Sequence, residues 1–372
     1  MSIDLDEFRK EIPAINNYIY LNHAAISPTP VFALLEALGY LYGVSSRGSV
    51  HVNRVEENDF LEMRQRVASF IGAEASEVSF IPNTSFGINM IIHGLNLGKG
   101  DVVLTNNLEF PATVYPLYKL RERGVEVKLL RVEPGSIDET MSENIDERVR
   151  LVVVSHVSFN TGARIDIKKI KERAKKVGAL LLVDAIQSAG ALKLDVKETE
   201  VDFLLAGGYK WLMSPQGSGF MYVRKGLLKD PPFYGWKTSS TFMKFDSESF
   251  ELETGPRRFE IGTIDVSANL AMSKIAEKLT PERERIERRV LDLSAHTVDE
   301  AEDMNFEVVT PKHRRAGITV VRTENPKGVA EKLLQKKIVV SPRGNGIRIS
   351  THFYNTEDEV SEALKAIKSC LS

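Results

Sequence analysis

Asp184–Lys210 reads DAIQSAGALKLDVKETEVDFLLAGGYK, and this stretch decides how the chain folds. An apolar run, Ala179 to Val183, stops on Asp184, and Gln187 follows within the next turn of chain. A second run, Phe203 to Ala206, stops on Gly207, Gly208, Tyr209 and Lys210. Short apolar runs that end abruptly in polar residues or glycine predict buried parallel strands. In open α/β sheets, ligands sit beyond the carboxyl ends of such strands. The pattern therefore predicts a carboxylate and an amine delivered to one crevice from two strand ends.

Those two groups suit pyridoxal 5'-phosphate (PLP), an aldehyde on a pyridine ring. The coenzyme needs an amine to form a Schiff base, an acid that keeps the ring nitrogen protonated, and donors for its phosphate. Lys210 fits the first need and Asp184 the second. Gln187 is placed to hydrogen-bond the ring's 3-oxygen. Alone, Asp184 also reads as a helix cap and Lys210 as a solvated side chain. The ordered set across two strands is what points to the coenzyme.

With these residues the chain resembles the class V, cysteine desulfurase-like group of fold-type I PLP enzymes, and its isopenicillin N epimerase-like branch. The resemblance runs from Leu21-Asn22-His23-Ala24-Ala25 to the RISTHFYNTEDEV stretch at Arg348–Val360. It implies an α/β fold of the fold-type I PLP-transferase kind. A large domain with a mainly parallel seven-stranded sheet would be joined by a smaller α+β C-terminal domain. The expected boundaries are 16–255 for the large domain, with 1–15 and 256–372 forming the small one.

Working outward, Val78–Ile81 reads as a strand running into Pro82-Asn83-Thr84-Ser85 and a helix. Free N–H groups at a helix N-terminus attract anions. Thr84 and Ser85 are therefore expected to hold the phosphate, where the resemblance also places it. Asp101–Thr105 is the next strand, leading to Phe110. Cysteine desulfurases carry a His at the matching position, which stacks on the ring and moves protons. Phe110 can stack but carries no proton. After the strand Arg150–His156, relatives often place an Asn where this chain has Phe159, and Asn160 follows one residue late. Tyr209 offers a phenol O–H to the phosphate.

The resemblance places Asn22 and His23 beside the substrate. It matches Arg348 to the residue that grips the substrate α-carboxylate, a task that suits the paired donors of a guanidinium. Arg343 is a second candidate for a side-chain carboxylate, but reads first as an exposed turn residue. In Arg258-Phe259-Glu260-Ile261-Gly262-Thr263 the resemblance has Thr263 reach the partner subunit's cofactor, which implies a homodimer. On residues alone Thr263 reads as a helix N-cap. Whether Arg47, His51 and Asn160 join the site stays open.

Composition agrees with a globular enzyme. The 372 residues are 42% hydrophobic and 27% charged, with a net charge of −2, so no polyanion-binding role is indicated and no nucleic-acid partner is expected. The single cysteine, Cys370, excludes an internal disulfide or a cysteine-based metal site. The N-terminus lacks the apolar core of a signal peptide and no run approaches a membrane span, so a cytoplasmic location is expected. Beyond Ser267 a charged helix, Glu282–His296, alternates with expected strands at Phe306–Val309, Gly317–Val321, Lys337–Ser341 and Gly346–Ser350.

These residues predict an enzyme acting on an α-amino acid, with transamination as the first reading. A cysteine desulfurase- or selenocysteine lyase-like C–S lyase and an amino-acid epimerase use the same groups. Desulfurases pass sulfur to a Cys on the loop matching Ser341–Gly346, and this loop has none. A PLP-binding pseudo-enzyme is the non-catalytic alternative.

Overall fold

The computed structural model describes residues 4–371. The chain first forms a two-residue strand, β1 (Ile19–Tyr20). Seven strands then build the central sheet: β2 (Val78–Phe80), β3 (Val102–Asn106), β4 (Glu126–Leu130), β5 (Val149–Ser155), β6 (Leu180–Asp184), β7 (Phe203–Gly207) and β8 (Gly219–Val223). Their order is β2-β8-β7-β6-β5-β3-β4. Only β8 runs against its neighbours; the remaining pairings are parallel. This is the mainly parallel seven-stranded sheet of the fold-type I class.

Alternate residues of each strand feed two separate cores. Val102, Leu104, Val152, Val154, Leu181 and Val183 pack into one. Val103, Leu151, Val153, Leu182 and Leu205 pack into the other. Burial on both faces explains why these strands read as unbroken apolar runs. The helix Ile167–Lys176 shows how the faces are covered. Ile167, Ile170 and Ala174 turn inward, Lys168, Lys175 and Lys176 stay outside, and Asp166 caps the first turn through Lys169 N at 3.1 Å.

The C-terminal part holds β9 (Ile318–Arg322), β10 (Ile338–Val339), β11 (Ser341–Arg343) and β12 (Gly346–Ser350). The order β11-β12-β9 is antiparallel, and β10 pairs with β1. Leu21, Val329, Leu333, Ile347, Ile349, Leu364 and Ile367 form its core.

Three expectations need correction. Phe306–Val309 is not a strand, because the turn at Asn305 (φ 63°) leaves it a single bridge, Val308 to Val321. Lys337–Ser341 is not one strand but takes in all of β10 and the first residue of β11, which join different sheets. The charged helix spans Arg283–Asp303, longer than the charge pattern alone marked. No helix among the described residues is long and apolar enough to cross a membrane.

Candidate active site

Asp184 closes β6 and is fully enclosed, with its Oδ1 accepting Ile186 N at 2.9 Å. Burial pushes its carboxyl up to about 6, partly offset by the Ile186 N–H and the Lys210 charge. Lys210 follows β7. Burial lowers its amine to about 8; Asp184 works against that shift, and Arg348 and Arg343 add to it. The two strand ends therefore do deliver a carboxylate and an amine to one place.

The turn that carries Lys210 is held from behind. A Cβ on Gly208 would lie 2.4 Å from Ser218 Oγ, so only glycine fits there. Gln187 Oε1 accepts Trp211 Nε1 at 3.0 Å, and Gln187 Nε2 donates to Ala24 O at 3.0 Å. One Nε2 hydrogen remains for a ligand. His23 is buried in an aromatic cluster with Trp211, His352 and Tyr354, and its Nδ1 contacts Ser27 Oγ at 2.9 Å. The structure thus puts His23 in the packing that backs Lys210. Its neighbour Asn22 bridges to Ser350 on the end of β12 and keeps Oδ1 buried without a partner.

Phe110 lies with its ring 5.9 Å from Lys210 Nζ and is 45% exposed. It meets Phe159 edge-on at 5.1 Å. Arg348 stands on β12 with Nη1 donating to Phe159 O at 2.9 Å, while Nε and Nη2 are buried and unpaired. Burial, with Arg343 adding to it, holds its guanidinium down to about 9. Ser341 faces Arg348 across the β11–β12 register, which puts Arg343 on the same sheet face. Arg343 is half-buried.

Helix Thr84–Gly94 begins at β2's end, and Asn83 caps it through Phe86 N at 2.9 Å. Thr84 is buried and Ser85 exposed. Thr263 is exposed, and the cap of the following helix Val266–Leu279 is Asp265, accepting Ala268 N at 3.0 Å. That overturns the N-cap reading of Thr263. His51 packs against Tyr40 within the paired N-terminal helices and receives Arg47 Nη2 at 3.1 Å. Asn160 Oδ1 is taken by Ser158 Oγ at 2.7 Å.

The residues present fit PLP. The site holds an amine of reduced basicity, a buried carboxyl, an apolar ring face, and two guanidinium nitrogens with nothing to bind. Sequence reading missed Glu109, a buried carboxyl whose Oε1 accepts Asn106 Nδ2 at 2.9 Å. The signal was available, since Glu109 also follows a buried strand that ends in polar residues. It missed Trp211 and the Phe159 carbonyl because both act through contacts distant in sequence.

The comparisons with known proteins agree with this geometry. The Aminotransferase class-V family model matches residues 19–363. A probable cysteine desulfurase of Methanothermobacter thermautotrophicus is 29% identical, covering 95% of this chain and 95% of its own length. The uncharacterized aminotransferase YcbU of Bacillus subtilis is 30% identical, covering 97% of each. The apo cysteine desulfurase from Thermococcus onnurineus NA1 superposes with a TM-score of 0.89 at 26% identity, over 100% of this chain and 98% of that one. The chain belongs to the class V aminotransferase family and is a PLP-dependent enzyme.

Proposed function

We propose that this enzyme is a C–S lyase acting on a sulfur-containing α-amino acid, with L-cysteine as the simplest case. The observation that carries the reading is the β11–β12 hairpin. Its tip is Gly344-Asn345, with no thiol in Ser341–Gly346. The single cysteine, Cys370, packs against the C-terminal core from the last helix. Relatives described as cysteine desulfurases support sulfur chemistry. Without a cysteine to accept sulfur, the products balance as cysteine plus water giving pyruvate, ammonia and hydrogen sulfide.

Bound PLP supplies the electron sink for charge developing at the substrate α-carbon. The protein does the rest. Arg348 holds the α-carboxylate with its unpaired Nε and Nη2. Lys210, its amine held down near 8, removes the α-proton. Asp184 keeps the proton on the ring nitrogen. Phe110 covers the ring face, and Thr84, Ser85 and Tyr209 hold the phosphate. Asn22 stands beside the substrate with a free acceptor.

We infer further that the working unit is a homodimer. Helix Val31–Arg47 exposes Leu34, Leu35, Leu38, Leu41 and Tyr42. Such a row suits a partner subunit, and exposed Thr263 is free to reach that partner's cofactor. Sedimentation of a fully loaded monomer would overturn this.

The deciding assay incubates the loaded enzyme with L-cysteine and measures pyruvate and sulfide. Equal release of both supports the lyase. Turnover that requires a keto acid and yields no sulfide replaces it with transamination.

A further inference from the structure

Glu109 is a second buried carboxyl at the same end of the sheet as Asp184. It sits in the turn between β3 and helix Pro111–Leu120, directly before Phe110. Its carboxylate reaches across to the last residue of β5. Ser155 N donates to both oxygens at 2.9 Å, Ser155 Oγ donates to Oε2 at 2.5 Å, and Asn106 Nδ2 completes the set from β3. Ser155 is the register partner of Asp184 on the adjacent strand, and His156 N donates to Asp184 O at 2.9 Å. The two carboxyls thus flank one rung of the sheet.

Structural bracing alone does not require a carboxylate here. A neutral glutamine could also brace the turn, its oxygen accepting from Asn106 and Ser155 N while Ser155 Oγ turns to accept from its amide. The surroundings are also costly for charge. Among the described residues Glu109 forms no ion pair, and the charged group that faces it is Asp184, with Lys210 facing Asp184 in turn. Like charges on adjacent strand ends repel. Burial and the Asp184 charge hold the Glu109 carboxyl up to about 7, against the donors from Ser155 and Asn106.

We propose that Glu109 is a positioning residue that places a second, titratable negative charge behind Asp184 and so strengthens the grip of the site on protons at the cofactor and Lys210. The same carboxylate anchors the Phe110 turn to β5, which couples the ring-covering aromatic to the strand next to Asp184. The proposal rests on the cofactor and not on the choice of substrate, so it stands or falls independently of the lyase reading.

The test is a pH titration of the visible band of the PLP-loaded enzyme, without substrate, for wild type, Glu109→Gln and Ser155→Ala. Removing a nearby negative charge makes a bound proton easier to lose. Glu109→Gln should therefore move the titration midpoint down by about half a pH unit or more. Ser155→Ala removes one donor to the carboxylate, favours its neutral form, and should shift the midpoint by less in the same direction. Melting curves accompany both. A Glu109→Gln enzyme that melts lower but titrates with the wild-type midpoint would reduce Glu109 to a brace and overturn the proposal. If Glu109→Gln does not fold, an unchanged midpoint in Ser155→Ala overturns it instead.

Discussion

Trp211 Nε1 donates to Gln187 Oε1 at 3.0 Å, and so ties the residue after the lysine to the turn that follows Asp184. Both side chains are buried. The bond fixes the spacing between the two strand ends that carry the site, and Gln187 extends the tie to Ala24.

Trp211→Phe keeps an aromatic ring but removes the donor. Gln187 Oε1 is then left buried and unpaired, a state that costs about 1–3 kcal/mol. The smaller ring leaves a cavity that adds to the loss. The urea midpoint should fall, and the variant should lose PLP faster on dilution. A variant with wild-type stability and cofactor retention would show that the tie has no part in holding the site.

Arg348→Lys preserves charge and discards the paired geometry. An ammonium is a point charge and cannot present two parallel donors to a carboxylate. kcat/KM for an α-amino acid should fall about 10²-fold or more, since a lost charge-assisted bond is worth about 3 kcal/mol. KM should rise in step if Arg348 holds the ground-state carboxylate. A fall in kcat alone would give it a role only in the transition state.

Much of this site was legible in the sequence. Asp184, Gln187 and Lys210 announced themselves because each ends or follows an apolar run, and strand ends are where such sheets bind ligands. Helix Thr84–Gly94 was legible for the same reason, from Asn83 after a buried strand. What escaped was set by folding across long separations. Arg348 meets the Phe159 carbonyl, and Trp211 meets Gln187, over gaps that no local pattern encodes. Thr263 was misread as a cap because Asp265, two residues on, competes for the same helix start and wins.

Asp184 and Lys210 make the cofactor-free protein sensitive to pH in opposite senses. The Asp184 carboxyl lies near 6 when folded against an ordinary 3.8, so the unfolded chain releases that proton first. The Asp184 contribution to stability should therefore fall as pH rises from about 4 to 6, in the same sense as that of Glu109 and against those of His156 and His352, which burial holds below the usual imidazole range. The Lys210 amine lies near 8 against 10.5, so the unfolded chain keeps that proton longer and stability should recover as pH rises above about 8. Asp184→Asn should remove the Asp184 share of this dependence and stabilise the cofactor-free protein by about 1–3 kcal/mol at neutral pH. Urea titrations of both proteins across pH check this, and a wild-type-minus-variant difference that stays constant between pH 4 and 6 would refute it.

Gly208→Ala tests whether the lysine-bearing turn tolerates even one methyl group. The added carbon would meet Ser218 Oγ at 2.4 Å, and both Met272 Sδ and Ser214 Cβ at 3.0 Å. Ser218 Oγ is already committed to the Pro215 carbonyl, and Ser214 Oγ to the Ala268 carbonyl. Neither side chain can swing away without breaking a buried bond. The backbone before Lys210 must move instead, at a cost of about 1–3 kcal/mol for overpacking. A displaced Lys210 should also form its bond to PLP more slowly, measured as the growth of the visible band after the cofactor is added. Wild-type melting and wild-type loading in Gly208→Ala would mean that the turn yields at no cost, and that its glycine has some other cause.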